Sequence, residues 1–201
     1  MYLKHLPTTA IFIMLAALPC IAQKQPSAEV SGGFSYLHLQ RSANLYGWDG
    51  SLTVNLNTWL GLTGEFSGHY GQNGGGGVAI IIPAPIIEPP PILNISSSSN
   101  VHTFLFGPRV SYRKSERLTP FGHVLPGFAR SGFSATITSP TINVHTSSSS
   151  TGFAMAVGGG LDLKLSRSLA FRLIQADYLL THFSGTNQNN ARITTGLVFR
   201  F

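Results

Sequence analysis

A repeat of two dominates this chain, and it comes in eight separate segments. The last is the clearest: Ala191, Ile193, Thr195, Leu197, Phe199 and Phe201 alternate with Asn190, Arg192, Thr194, Gly196, Val198 and Arg200. A strand points successive side chains to opposite faces, so alternation over this length specifies a sheet with one apolar and one polar side. The same pattern places strands at about 29–40, 47–57, 60–70, 100–113, 119–135, 151–165, 169–181 and 190–201. Two of these are less regular. The fifth contains Pro126 and Arg130, and in the seventh the polar set shifts from Arg172 to Gln175 and Asp177, the parity change of a β-bulge or a strand end.

The connections sort by length. Tight turns follow strands two, four and six, at 57–59, 114–118 and 166–168, whereas longer segments, 41–46, 71–99, 136–150 and 182–189, follow strands one, three, five and seven. Short turns at one end and long loops at the other are the arrangement of a transmembrane barrel, and an even strand number puts both chain ends on the short-turn, periplasmic side. A soluble lipocalin-like barrel or sandwich would alternate too, with its apolar face inward.

Composition favours the membrane. Only 10% of the residues are charged, against 43% hydrophobic; ordinary soluble domains carry about 25% charged residues. A face turned to hydrocarbon needs no charge. The polar face collects the ionisable groups, and Glu65, Arg109, Asp162, Lys164, Arg172 and Arg192 are expected to form a paired network in a lumen that eight strands leave just wide enough for side chains. Aromatic residues near the strand ends, Trp59, Tyr112 and Phe121 at one end and Tyr36, Trp48, Tyr70 and Phe183 at the other, are expected to form two interfacial girdles. A net charge of +6 arises from scarce acids without a long basic run, which argues against nucleic acid as a partner.

Residues 1–22 read as a secretory signal peptide: Lys4 and His5, an apolar run from Ala10 to Leu18, and a small residue, Ala22, at the cut. Residues 23–28 are then a short periplasmic lead and 29–201 the barrel. The lone cysteine, Cys20, lies within the signal; Pro19 before it departs from a lipoprotein pattern. The 71–99 loop joins a flexible Gly74–Gly77 arm, stiff proline backbone from Pro83 to Pro91 and a flexible Ser96–Ser99 tether. Its Ile81, Ile82, Pro83, Ile86 and Ile87 make either a variable surface segment or a sticky patch for an extracellular partner.

The signal peptide, the eight amphipathic strands and the ending Phe199-Arg200-Phe201 resemble the small outer-membrane β-barrel family that includes the OmpA transmembrane domain and OmpX-like proteins. The resemblance covers the whole mature chain. It implies an all-β, eight-stranded antiparallel up-and-down barrel exported to the bacterial outer membrane, with outer-membrane lipid as its surroundings and the barrel-assembly machinery as its partner in biogenesis. Leu197, Phe199 and Phe201 take the role of the assembly signal by the same implication. The chain ends at Phe201, so the peptidoglycan-binding domain of OmpA is not implied.

The expected role is structural or surface-interacting, with no cofactor. Two other functions stay open at this stage. A small channel for ions or solutes would need an open lumen. An outer-leaflet lipid enzyme would need a nucleophile and base, for which His145 and Ser147 with Asp162 are the available set; Ser147 opens a serine tract that supplies such pairs by chance. His38, His69, His102, His145 and His182 map to extracellular strand ends or loops without metal-ligand spacing, so no metal is expected.

Overall fold

The computed structural model describes residues 26–40, 44–73, 77–79, 92–138, 143–183 and 185–201. The signal segment and Ile81, Ile82, Pro83, Ile86 and Ile87 lie outside the described residues. Among the described residues nine strands follow one another: β1 (Ala28–His38), β2 (Asn44–Asn55), β3 (Leu60–Asn73), β4 (Gly77–Ala79), β5 (Ile92–Ser111), β6 (Leu118–Thr138), β7 (Asn143–Lys164), β8 (Leu169–Phe183) and β9 (Thr186–Arg200). Every pairing is antiparallel, and β3 bonds to β5 while β9 bonds to β1, so eight strands close a barrel. The three-residue β4 adds to β5 outside that ring, opposite Ile92–Asn94. Closure leaves no strand edge facing lipid, where an open amide could find no partner.

The apolar alternates point outward. Val30, Phe34, Leu52, Phe66, Phe104, Phe128, Val157, Ile193 and Leu197 are all exposed on the outer wall. Their rings meet across strands, with Trp48 edge-on to Phe66 at 5.1 Å and Phe104 stacked on Phe128 at 5.5 Å. The short turns are closed by side chains suited to them. Asn57 Oδ1 accepts from the Trp59 and Leu60 amides, and Ser166 Oγ from the Leu169 amide.

Three sequence expectations change. The long loops are shorter than expected because strands run on beyond the membrane. Ser96–Ser99 belongs to β5, and the serine tract 147–150 belongs to β7. In water neither strand face must be apolar, so the ladder continues where alternation fades. The second change concerns Phe121, which is buried inside the barrel directly opposite Gly160 rather than in a girdle. A Cβ on Gly160 would lie 2.7 Å from the Phe121 ring, so the glycine is what admits it. Phe183 is likewise buried, in an apolar cluster. Third, Lys164 is exposed at the periplasmic end and is absent from the buried network.

The parity change in β8 is a bulge. Leu173 and Ile174 are consecutive yet both exposed, and the β8–β9 register shifts between Arg172 and Gln175. Gln175 and Asp177 thereby face the lumen with Arg172, despite opposite parity.

Candidate functional site: a filled lumen and an extracellular fin

The inward side chains form two charged tiers joined by a glutamine. In the lower tier Asp162 accepts from Arg109 Nη2 at 3.1 Å and from Arg172 Nε at 3.0 Å. Glu29 meets Arg113 at 3.2 Å, Arg200 at 3.5 Å and Arg109 at 3.6 Å. Arg109 and Arg172 also lie over the Phe121 ring, at 3.8 and 4.7 Å from its centre. The ring face attracts both guanidiniums.

In the upper tier Arg192 is the hub. It donates to Glu65, and to Asp177 at 2.6 Å through Nη2 and 3.0 Å through Nε, with Asp49 3.5 Å away. His123 Nε2 donates to the other Asp177 oxygen at 2.8 Å. Gln175 ties the tiers together. Its Oε1 accepts from Arg172 at 2.7 Å, while its amide nitrogen donates to Asp177 at 2.8 Å and Glu65 at 3.1 Å.

Thus Glu65, Arg109, Asp162, Arg172 and Arg192 are brought together, and Glu29, Asp49, His123, Gln175, Asp177 and Arg200 join them. Glu65, His123 and Asp177 each place a ligand atom within 4.8 Å of the others, a spacing that could hold an ion. Here Arg192 donates to both carboxylates and His123 to Asp177, so these lone pairs are already engaged.

Toward the extracellular side the lumen turns apolar. Leu37, Leu45, Val101, Leu105, Leu125, Ala129, Ala154, Ala156, Leu179 and Phe183 pack together there. Sequence reading missed this plug because alternation placed Leu105 among polar neighbours. Between the plug and the ions, His69 is fully buried and shares a hydrogen bond with Ser35 at 2.8 Å, so it is a lumen residue rather than part of a histidine rim. A void beside Ser31, Asp49, Arg172 and Thr194 has no room for a water molecule.

Of the expected girdle, Tyr36, Trp48, Trp59, Tyr70 and Tyr112 are on the outer wall, some with polar tips engaged: Tyr36 donates to Asn44 at 2.9 Å, and Tyr70 meets His102 at 3.0 Å. Leu197, Phe199 and Phe201 are exposed on the same wall.

Above the barrel β5, β6 and β7 continue as a fin. β6 and β7 stay paired up to Thr138 opposite Asn143, whereas β7 meets β8 only from Phe153 onward. Among the described residues Asn143–Ser149 therefore has a strand partner on one side only, while Gly152 lies against the His182 backbone. His145 is on this fin, hydrogen-bonded to Thr136 at 3.1 Å, while Asp162 is buried in the lower tier. The His145, Ser147 and Asp162 set is not assembled.

A closed eight-stranded barrel with an apolar outer wall and ionic interior defines a small outer-membrane barrel protein. The chain belongs to the outer membrane protein β-barrel domain family, whose model matches residues 8–201. It is similar in fold to Ail, the attachment invasion locus protein of Yersinia pestis, solved in complex with the heparin analogue sucrose octasulfate. That likeness has a TM-score of 0.55 at 15% identity, over 88% of this chain and 99% of that one. A major outer membrane protein from Thermus thermophilus is similar at a TM-score of 0.50 and 12% identity, over 87% and 100%. Among curated proteins none matches the chain.

Proposed function

We propose that this outer-membrane barrel is a non-enzymatic surface-interaction protein with a closed lumen, and that the outer β7 edge, Asn143–Ser149, which has no strand on that side among the described residues, receives an extended segment of an extracellular partner. This edge carries the reading. Over this length a strand offers roughly 20 Å of backbone at about 3.3 Å per residue, with no second strand along it among the described residues. Natural edges are usually blunted by charge or proline, and Asn143–Ser149 has neither. Such an edge accepts a peptide by adding a strand.

A polysulfated ligand like that bound to Ail is a poorer fit here. Among the described fin residues Arg130 is the lone lysine or arginine. The ionic tiers and the apolar plug support a lumen closed to solutes, and the unassembled His145, Ser147 and Asp162 support the absence of catalysis. In this reading the signal peptide delivers the chain and Leu197, Phe199 and Phe201 present it to the assembly machinery.

Adhesion of cells expressing the protein tests the edge. Thr146→Lys with Ser148→Lys should abolish any gain in cell–cell or cell–surface adhesion while leaving heat-dependent electrophoretic mobility intact. Full adhesion by the double variant would overturn the edge as the contact.

A further inference from the structure

The net positive charge is not spread over the molecule. The buried lumen is balanced, with Arg109, Arg113, Arg172, Arg192 and Arg200 against Glu29, Asp49, Glu65, Asp162 and Asp177, but it is balanced unevenly. Asp49, Glu65 and Asp177 share Arg192 in the upper tier. In the lower tier four guanidiniums share Glu29 and Asp162, an excess of two positive charges facing the periplasmic end. Just below, the turns add Lys114, Arg117, Lys164 and Arg167 against Glu116 alone.

These groups surround an opening. A cavity of about 890 Å³ at the periplasmic mouth is lined by Arg113, Lys114, Lys164, Arg167 and Arg200, with Glu116 the single acid among its charged residues. Its volume is within the roughly 300–1,000 Å³ of ligand sites. Arg200 lines it from inside and is 8% exposed, yet its Nε and Nη2 have no hydrogen-bond acceptor; the nearest carboxylates are 3.5 and 3.8 Å away. Arg113 Nε is also buried without an acceptor. Buried donors on a cation are costly to leave unmatched, and an arginine fork is shaped to take a carboxylate.

We propose that the periplasmic mouth is a binding site for an acidic peptide carrying several carboxylates, which enters from the periplasm and docks on Arg113, Arg200, Lys164 and Arg167. Approach from the aqueous side is favoured over a leaflet lipid. Arg200 and Thr119 face the lumen axis, around the rim from acyl chains that would lie against the outward Phe199 and Phe201. The field of the turns would steer such a peptide to the mouth, and salt would weaken it.

Fluorescence anisotropy of labelled hexaglutamate with the full barrel in neutral detergent tests this. Arg200 contacts the folded network, so the decisive variant is Lys164→Gln with Arg167→Gln, both exposed positions that leave the Ser166 turn bond in place. Binding should weaken by about tenfold or more in this variant and fall with added salt, whereas Arg130→Gln at the opposite end should leave it unchanged. Absence of binding to the unaltered protein, equal binding by the turn variant, or equal loss in Arg130→Gln would each overturn the proposal. So would variant-sensitive binding to phosphatidylglycerol vesicles, relative to phosphatidylcholine, without binding of the peptide, since the occupant would then be lipid.

Discussion

Replacing Arg192 with methionine keeps most of the side-chain volume and removes the one guanidinium that Asp49, Glu65 and Asp177 share. All three carboxylates are nearly inaccessible, at 2, 2 and 4% exposure. His123 and Gln175 still donate to Asp177, and Gln175 to Glu65, but Asp49 Oδ2 has no hydrogen bond even in the intact protein. Breaking one buried ion pair from one side costs about 3–5 kcal/mol, and here one deletion strips three acids. A loss of at least about 4 kcal/mol is expected on that basis. Combining Arg192→Met with Asp49→Asn and Glu65→Gln removes the stranded charge and should recover all but about 1–2 kcal/mol, because neutralising a whole buried network is far cheaper than halving it. Urea unfolding in lipid vesicles, followed by the fluorescence of the outward Trp48 and Trp59, measures both steps. A loss below about 1 kcal/mol for Arg192→Met, the value of an exposed pair, would refute the account of Arg192 as the charge that holds the upper tier.

Three further outcomes follow from the packing. Phe121→Ala should cost about 3 kcal/mol or more, equally in detergent and in bilayers, because the ring serves Arg109 and Arg172 inside the barrel; a girdle residue would instead show a loss that depends on the lipid, read by the same unfolding assay. Gly160→Ala should destabilise by about 1–3 kcal/mol, since the new Cβ would press into the Ile174 carbonyl and lie 2.7 Å from the Phe121 ring; an unchanged urea midpoint would contradict this. Gln175→Leu should cost about 2 kcal/mol or more by stranding donors and acceptors in both tiers, and a neutral result in the urea titration would show the tiers to be independent.

The barrel was legible because hydrocarbon enforces alternation: wherever lipid touches the wall, every second residue must be apolar, and the eight segments follow. Outside the lipid that constraint lapses. Ser96–Ser99 and Ser147–Ser150 therefore read as loops although their backbones keep pairing. Parity also identified the inward Glu65, Arg109, Asp162, Arg172 and Arg192, and the shift of the polar set to Gln175 and Asp177 marked the bulge at Leu173–Ile174, although these two were not counted in the expected network. Phe121 was misplaced because aromatic character near a strand end suggests an interface; its inward parity with Thr119 and His123 and the facing Gly160 were the contrary signal. What the polar face holds depends on packing across the barrel, so neither the apolar plug nor the sharing of Arg192 could be seen along one strand.

The closed lumen we propose rests on two barriers of unlike chemistry, and this bears on conduction. Ions crossing the barrel would meet the charged tiers from the periplasmic side and then the Leu105–Leu125–Leu179 cluster. Replacing the charged side chains of both tiers alone leaves an apolar constriction, which excludes ions by remaining dry. Trimming Leu105, Leu125 and Leu179 to alanine alone leaves the salt bridges spanning the lumen below, and the apolar space vacated above tends to stay dry. Conductance in planar bilayers should therefore be absent in the unaltered protein and in either set of substitutions, and emerge only when both are combined in a barrel that still shows heat-dependent mobility. Stable steps from the leucine variant alone would mean that the ionic tiers are permeable. Steps from the unaltered protein would overturn the closed-lumen reading and favour a channel.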